Sequence, residues 1–294
     1  MNKLKLKFIR INLLIIGSVT VFIASLVYFG ASAQISSIRL FGIIIMILLL
    51  VLIGSLLSSL IAIKPIQAAW RRQLDFTADA SHELRTPLAV IQTNLELVMD
   101  NPGETVGSQF KWLTNVHIET ARMAKLVDDL LTLSRNDAGA TTLEYSFFSL
   151  NTVALEVAVL FEVTARQKNI DILVRADCDV QLWADRSRIK QLLGILVDNA
   201  VKYMNRPGSI QISLSKKDNT VRLIVSDTGE GIASEYLPRI FDRFFRAEDQ
   251  AGDGCGLGLS IAEWIANAHG GNIRVESVLM EGTSFTVCLP LRSA

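Results

Sequence analysis

A histidine followed directly by a carboxylate is the first candidate for chemistry in this sequence. Residues 76–88 read FTADASHELRTPL, with His82 and Glu83 at their centre. On a helix His82 points about 200° away from the apolar Ala80, so it is predicted to be exposed. A neutral imidazole nitrogen can attack phosphorus if its other nitrogen shares a proton with a base, and Glu83 is suited to that role. Thr86 lies on the same helical face, where its hydroxyl could position a water for the reverse, phosphatase, reaction.

Two polar motifs further along the chain suit a nucleotide. Residues 191–203 read QLLGILVDNAVKY. There the amide oxygen of Asn199 suits Mg²⁺, and Lys202, one helical turn on, could reach a phosphate. Residues 227–232 read DTGEGI after a predicted strand. The carboxylate of Asp227 could accept a hydrogen bond from the amine of adenine and would repel the carbonyl of guanine.

A glycine-rich segment, residues 254–259 (GCGLGL), opens a predicted helix. Alternate glycines expose amide hydrogens at a helix N-terminus, where phosphate charge is stabilised. The segment lacks the Gly-Lys-Ser/Thr ending of a Walker A loop and the context of a dinucleotide fingerprint. Between the two glycine motifs, residues 240–246 (IFDRFFR) place aromatic side chains beside arginines and flank a predicted lid. Taken singly, each motif has a plain structural alternative: a surface histidine, a surface asparagine, an ordinary turn or core aromatics.

Periodicity predicts the elements that must position these residues. Apolar residues recur at steps of three and four on both sides of the turn signal at 100–103, which predicts a helical hairpin. One hairpin has too little core, so a homodimer with a four-helix bundle is expected. From about residue 149, strands and helices alternate in an α+β layer. Predicted strands are 170–174, 210–214, 221–225, 273–276 and 283–289, and predicted helices are 151–166, 187–203 and 257–268. His269 fits the end of the last helix, where a partial positive charge is favourable.

Two uncharged apolar runs, 11–30 and 40–63, precede the hairpin. Each has about the 20 residues that cross a bilayer as a helix, so two membrane helices are predicted. Basic residues outside the pair place both termini in the cytoplasm and the loop 31–38 outside. A signal peptide is the alternative for the first run, because basic residues precede it and Ala31-Ser32-Ala33 follows. A buried helix is the alternative for either run.

Charge and cysteine content exclude other classes. Lysine plus arginine and aspartate plus glutamate are equal at 29 each, so no bias towards nucleic acid is expected. The three cysteines, Cys178, Cys255 and Cys288, fall on the cytoplasmic side of the predicted topology. Their odd number argues against disulfides. Their spacing matches no metal site.

The motifs together, in this order, resemble the H-box, N-box, G1, F-box and G2 motifs of sensor histidine kinases. The ATP-binding part of that family is shared with gyrase, molecular chaperones and mismatch-repair ATPases. The resemblance covers residues 76–289 and implies ATP-dependent phosphorylation of His82 and transfer to an aspartate of a cognate response regulator. It also implies phosphatase activity on that regulator, Mg²⁺ at Asn199, and a nucleotide site formed by Asn199, Lys202, Tyr203, Asp227, Gly229, Gly231, Phe241, Arg243, Arg246, Gly254, Gly256, Leu257, Gly258 and Thr283.

The resemblance implies three parts: a membrane hairpin (1–66), a helical hairpin for dimerisation and phosphotransfer (67–140), and an ATP-binding α/β domain (141–294). One departure is Ile195, where the family often has a second asparagine; Asp198 is a weak substitute because it points about 100° away from Asn199. About 28 Å of helix separates Ile63 from His82, too little for the usual relay module. The membrane helices, or a membrane partner such as a transporter, are therefore expected to supply the signal. An ATP-binding scaffold, a phosphatase-dominant protein and a gyrase-like ATPase are the alternatives.

Overall fold

The computed structural model describes residues 14, 15, 17–19, 21, 22, 25, 37–137, 142–217, 219–247 and 254–291. They form two compact units, residues 1–78 and residues 79–294. Residues 31–36 of the predicted loop 31–38 and most of the predicted helix 11–30 lie outside the described residues, as does part of the predicted lid, residues 248–253. The last two residues of that predicted loop, 37 and 38, are helical. Across the part of the chain that is described, no helix meets the length and hydropathy criteria of a membrane span.

A helical hairpin forms the first part of the second unit, as predicted. Helix α1 spans Ser37–Met99 and helix α2 spans Val106–Asp137. The turn between them is fastened by Gln109, whose side-chain amide donates to the carbonyl oxygens of Val98 (3.2 Å) and Asn101 (2.8 Å). These bonds satisfy carbonyls that the end of α1 leaves without a helical partner.

A five-stranded mixed sheet forms the base of the remaining part. In chain order the strands and helices are β1 (Tyr145–Ser149), α3 (Leu150–Gln167), β2 (Ile170–Ala176), β3 (Gln181–Asp185), α4 (Arg186–Lys202), β4 (Gly208–Lys217), β5 (Thr220–Asp227), α5 (Gly258–Ala268), β6 (Asn272–Val278) and β7 (Gly282–Pro290). The sheet order is β2-β4-β5-β7-β6, with β2 parallel to β4 and the other pairs antiparallel. This is the α+β arrangement that the sequence predicts.

Successive residues along the central strands point to opposite faces of the sheet and alternate in burial, which shows that one face of the sheet is buried. On that face Ile212, Val225 and Phe285 lie in register across three strands. Helices α3, α4 and α5 contribute the other side of the core through residues with little or no solvent exposure, including Val153, Val157, Leu192, Leu196, Ile261 and Ile265. Burying one such side chain contributes roughly 1.5–3 kcal/mol.

A short sheet of β1 and β3 was not predicted from the sequence. The two strands pair antiparallel, and the rings of Phe147 and Trp183 lie 4.7 Å apart across them. Each strand ends in a helix cap: Ser149 accepts from the amide of Thr152 at the start of α3, and Asp185 accepts from the amide of Arg188 at the start of α4. Strands this short carry little periodic signal.

His269 ends α5 as predicted, but the structure requires its neutral form. The ring is buried, and Nε2 accepts a hydrogen bond from the backbone amide of Asp185 at 3.1 Å. Nδ1 therefore carries the proton and lies 2.8 Å from the carbonyl oxygen of Ile265. The predicted partial positive charge is wrong, because an imidazolium would place an N–H against the N–H of Asp185.

We predict that the carboxylate of Asp185 makes stability depend on pH. Burial alone would raise the pKa of Asp185, but bonds from Ser187, from the amides of Arg188 and Glu144, and the charge of Arg188 hold it below the ordinary 3.8. A carboxyl whose folded pKa is depressed stabilises the fold above its unfolded pKa, and this stabilisation is lost as pH falls through the folded pKa. Asp185→Asn is expected to cost about 1–2 kcal/mol at pH 7 and progressively less at pH values below the unfolded pKa.

The measurement is urea unfolding at several pH values, followed by the emission of Trp183 and Trp264 with Trp70 and Trp112 replaced by phenylalanine. Asp171→Asn, at an exposed position on β2, is the matched control. A difference between wild type and Asp185→Asn that stays constant from pH 7 to pH 3 would contradict the assignment.

Candidate functional site

A cavity of about 640 Å³, including its open mouth, lies at the end of the buried face of the sheet where β5 finishes. The register places Asp227, the last residue of β5, directly opposite Thr283 at the start of β7. The walls combine apolar side chains with polar and charged ones. The lining residues are Asn199, Ala200, Tyr203, Asp227, Glu230, Gly231, Ile232, Tyr236, Ile240, Phe245, Arg246, Ala247, Leu259, Thr283 and Phe285. A concave pocket that joins apolar walls to convergent polar groups is typical of a small-molecule site.

The carboxylate of Asp227 is held at the inner end of the cavity. Its Oδ1 accepts hydrogen bonds from the backbone amides of Gly229 (2.9 Å) and Thr283 (3.3 Å). Burial raises the pKa of Asp227, and the two amides oppose that rise. Because Oδ1 is engaged by the protein's own backbone, Oδ2 is the oxygen suited to a donor on a ligand.

The turn after Asp227 needs glycine at Gly231. Its φ is +70°, and a Cβ there would lie 2.1 Å from the carbonyl oxygen of Val278. A side chain would therefore be strained in the backbone and would also collide with the end of β6. The close approach of this turn to the β6–β7 connection closes one wall of the cavity.

The glycine-rich segment lies at the other end of the site. Gly256 has a φ of +68°, and its carbonyl oxygen accepts from the amide of Phe244 at 3.0 Å. This bond ties the segment to the aromatic–arginine motif. Helix α5 begins at Gly258, directly after the buried Leu257. Its first amide groups are suited to an anion, since they have no partners within the helix.

Lys202 reaches the glycine-rich segment from α4. Its Nζ lies 3.6 Å from where a Cβ of Gly254 would stand, and 3.0 Å from Oδ2 of Asp198. The same oxygen lies 3.9 Å from Nζ of Lys125 on α2. Asp198 thus faces two lysines. These contacts argue against Asp198 as a metal ligand in place of the second asparagine that the family often has at the position of Ile195. Ile195 lies at this end of the site, and its Cγ2 is 3.2 Å from the position that a Cβ would take if Gly258 had a side chain.

Arg243 does not line the cavity, although it was predicted to contact nucleotide. Its guanidinium makes two hydrogen bonds of 2.8 Å to the carboxylate of Asp137, the last residue of α2. Phe241 also lies outside the lining and packs edge-on against Phe285, with ring centroids 6.4 Å apart. Within the aromatic–arginine motif at residues 240–246, Arg246 lines the cavity. Phe245 lines it as well, although the sequence-based prediction did not include it.

The histidine motif lies on α1. His82 is exposed, as predicted, and its carbonyl oxygen is 3.4 Å from the hydroxyl of Thr86. Glu83 is half-buried beside the glycine-rich segment. Burial raises the pKa of the Cys255 thiol, the nearby Glu83 carboxylate raises it further, and Arg122 lowers it. The residue after the candidate phosphoacceptor is therefore within interaction distance of the segment that opens α5.

The site also contains residues that the sequence-based prediction omitted. They are mostly apolar wall residues: Ala200, Ile232, Tyr236, Ile240, Leu259 and Phe285. Phe285 had a signal, because it is in the inward register of β7 two residues after Thr283. The others are indistinguishable from core residues until the cavity is seen.

Two family models match the chain. His Kinase A (phospho-acceptor) domain matches residues 72–139, and the Histidine kinase-, DNA gyrase B-, and HSP90-like ATPase matches residues 184–293. The first contains the exposed His82, and the second contains the cavity. The chain belongs to the sensor histidine kinases.

Named relatives agree with this membership. Signal transduction histidine-protein kinase BaeS of Escherichia coli (strain K12) is 36% identical over 224 residues, which are 74% of this kinase and 46% of BaeS. The Acinetobacter baumannii histidine kinase AdeS is similar with a TM-score of 0.60 and 29% identity, covering 72% of this kinase and 98% of the AdeS structure. Histidine kinase ThkA, solved in complex with response regulator protein TrrA, gives a TM-score of 0.59 at 31% identity, covering 74% and 61%.

The kinase spans about half the length of the curated relatives that it matches, from 46% to 55% for the first three.

We predict that Gly231→Ala disrupts the cavity of this kinase. A methyl group 2.1 Å from the Val278 carbonyl oxygen must displace the turn that follows Asp227. Affinity for ADP is expected to fall at least tenfold, about 1.4 kcal/mol, and the melting temperature should fall as well. Isothermal calorimetry with ADP is the measurement. Gly194→Ala is the control, since nothing lies within 4 Å of a Cβ there; an equal affinity for ADP in both variants would refute the prediction.

Proposed function

We propose that this chain uses ATP to phosphorylate His82 and passes the phosphoryl group to an aspartate of a cognate response regulator. The observation that carries the proposal is the position of Glu83. This residue follows an exposed histidine and lies beside Cys255 of the glycine-rich segment, whose last residue, Leu259, lines the cavity. The acceptor motif and the donor site are thus neighbours within one compact unit.

ATP is the nucleotide that the cavity fits. Asp227 is suited to the exocyclic amine of adenine through Oδ2, because two backbone amides already hold Oδ1. The same carboxylate would repel the carbonyl of guanine. Ile240 and Phe285 supply flat apolar contacts for the base, and Arg246 brings a positive charge to the lining. At the other end, Lys202 and the amides that open α5 are suited to the phosphates.

Mg²⁺ is the metal that the proposal requires, to neutralise phosphate charge as the bond to the leaving oxygen weakens. Asn199 lines the cavity and offers an amide oxygen, the type of ligand that Mg²⁺ prefers. Ile195 offers no ligand, so the remaining positions fall to phosphate oxygens and water. Asp198 is engaged with Lys202 and Lys125 and is not part of the proposed metal site.

The proposed transfer needs a base at the histidine. One imidazole nitrogen of His82 forms a bond to the γ-phosphorus of ATP, and the bond from that phosphorus to the bridging oxygen breaks, with ADP as the leaving group. Glu83 accepts or shares the proton on the other nitrogen. The hydroxyl of Thr86, one turn away on the same face, is placed to orient a water for hydrolysis of the regulator's phosphoaspartate.

The proposed partners are a response regulator and a second copy of the chain. ThkA, the relative solved with response regulator TrrA, supports the first. The helical hairpin supports the second, because large apolar side chains on both its helices are exposed in the single chain: Leu88, Val90, Leu95, Leu97, Phe110, Ile118, Val127 and Leu131. Pairing two hairpins would bury them in a four-helix bundle.

We expect His82→Gln to abolish labelling by γ-labelled ATP and Mg²⁺, since glutamine has no nitrogen that can accept a phosphoryl group. Wild type should carry a label that is stable to alkali and labile to acid. His117→Gln, a second exposed histidine position on the hairpin, should keep the label. Full-length protein in lipid nanodiscs is the sample. A wild type that binds ATP without acquiring label would instead be an ATP-binding scaffold.

We also propose a division into a membrane hairpin (1–66), a phosphotransfer hairpin (67–140) and an ATP-binding domain (141–294), with both termini in the cytoplasm. The runs 11–30 and 40–63 contain no charged residue. A helix at a protein surface in water needs a polar face, so these runs are better suited to a membrane. Described side chains of the second run are exposed and apolar, among them Ile45, Met46, Leu49, Leu50 and Ile53. A membrane partner such as a transporter, as source of the signal, stays a prediction.

The topology is tested with single cysteines in a background free of the native three. Gln34→Cys should react with a membrane-impermeant maleimide in intact cells, whereas Gln67→Cys should react only after the cells are permeabilised. An N-terminal epitope tag should stay on the mature protein. Loss of the tag would favour a cleaved signal peptide, and labelling of both positions in intact cells would rule out the hairpin.

A further inference from the structure

Arg206 connects two separate segments behind the inner end of the cavity. It lies in the connection between α4 and β4, and its guanidinium points to three backbone carbonyl oxygens. Nη2 donates to Met280 at 2.7 Å, to Thr228 at 3.2 Å and to Gly229 at 3.3 Å. Nε donates to Thr228 at 3.3 Å. A rigid fork of donors suits this task, and a lysine ammonium could not reproduce the geometry.

The two segments that Arg206 connects are those that hold Asp227. Oδ1 of Asp227 takes one hydrogen bond from the amide of Gly229 and one from the amide of Thr283. Gly229 belongs to the turn after β5, and Thr283 lies three residues past Met280 at the start of β7. The distance between the two amides therefore depends on how the turn and the β6–β7 connection are joined.

The connection that Arg206 holds is strained. Met280 has a φ of +67°, a left-handed conformation in which a residue with a side chain is crowded against its own carbonyl oxygen. Its amide donates to the carbonyl oxygen of Glu230 at 2.6 Å, while its own carbonyl accepts from Arg206. Asn205, the neighbour of Arg206, donates to the carboxylate of Glu230 at 2.8 Å. These bonds keep the strained residue, and with it the start of β7, against the turn after Asp227.

We propose that Arg206 is a positioning residue for the base end of the ATP site. Its side chain is exposed and is not among the groups that line the cavity, so it acts through the carbonyls of Thr228, Gly229 and Met280. It sets the separation of the two amides that orient Asp227, and so the direction in which Oδ2 faces adenine. The inference rests on the proposed ATP site. It adds a residue that determines the affinity for the base and does not affect the rate of phosphoryl transfer.

The test uses the full-length chain in lipid nanodiscs and initial rates of autophosphorylation. For Arg206→Gln we expect the KM for ATP to rise about tenfold, which corresponds to ~1.4 kcal/mol. We expect kcat at saturating ATP to stay within about twofold of wild type, because only binding common to ground state and transition state is lost. The inhibition constant of adenosine should rise by the same factor as KM, and that of inorganic tripolyphosphate should not change.

Arg206→Lys is the second variant, and Arg175→Gln, an exposed arginine on β2, is the control. Lysine retains the positive charge but can reach only part of the set of three carbonyls, so its KM should lie between wild type and Arg206→Gln, which separates a lost contact from misfolding. The inference is overturned if both Arg206 variants match Arg175→Gln, or if kcat and tripolyphosphate inhibition deteriorate as much as KM. A wild type that neither acquires label nor binds adenosine would overturn the proposed ATP site itself.

Discussion

The antiparallel pairing of β5 with β7 is the constraint on which the site depends. This pairing places Thr283 opposite Asp227, so that an amide at the start of one strand meets the carboxylate at the end of the other. A shift of one residue would turn Asp227 to the other face of the sheet and remove it from the cavity. The apolar ladder that continues from this pair, Val225 with Phe285 and Leu223 with Val287, keeps the register, since a shift would expose each of these side chains.

Contacts between the helical hairpin and the ATP-binding part are of a different kind. The hydrogen-bonded pair of Arg243 with Asp137 and the wider approach of Lys125 to Asp198 are ionic and partly exposed. Exposed ion pairs contribute roughly 0–1 kcal/mol each and weaken as salt rises. The core of the sheet is held by many buried apolar contacts, so the two kinds of contact differ greatly in strength. Such an arrangement would let the ATPase part separate from the hairpin without unfolding.

Much of the fold could be predicted from the sequence, because its long elements carry strong periodic signals. The helical hairpin, the strands of the main sheet and, to within one residue, the ends of α4 and α5 follow from apolar spacing and turn residues. Motif order located Asp227, Thr283, Asn199 and the glycine-rich segment in one region. The cavity brings the first three together with Leu259, the last residue of the fourth, and Lys202 lies beside Gly254 of the same segment.

The parts that could not be predicted depend on contacts between residues far apart in the chain. Arg243 carries the charge expected of a phosphate ligand, yet its partner is an aspartate 106 positions away. The neutral state of His269 follows from a backbone amide 84 positions away, and composition gives no sign of it. Arg206 had no motif to mark it, since its role arises from three carbonyls that only the folded chain brings together.

The position of β7 within the sheet has a consequence for synthesis on the ribosome. It is the last described strand in chain order, yet it lies in the interior of the sheet between β5 and β6. The helical hairpin leaves the ribosome before the strands of the main sheet, and the nascent β4–β5 hairpin can pair early because its strands are adjacent in sequence. Asp227 then lacks its second amide until Thr283 has been translated and inserted. The hydrogen bonds that orient Asp227 are therefore complete only after β7 has left the ribosome, later than the segment that bears His82.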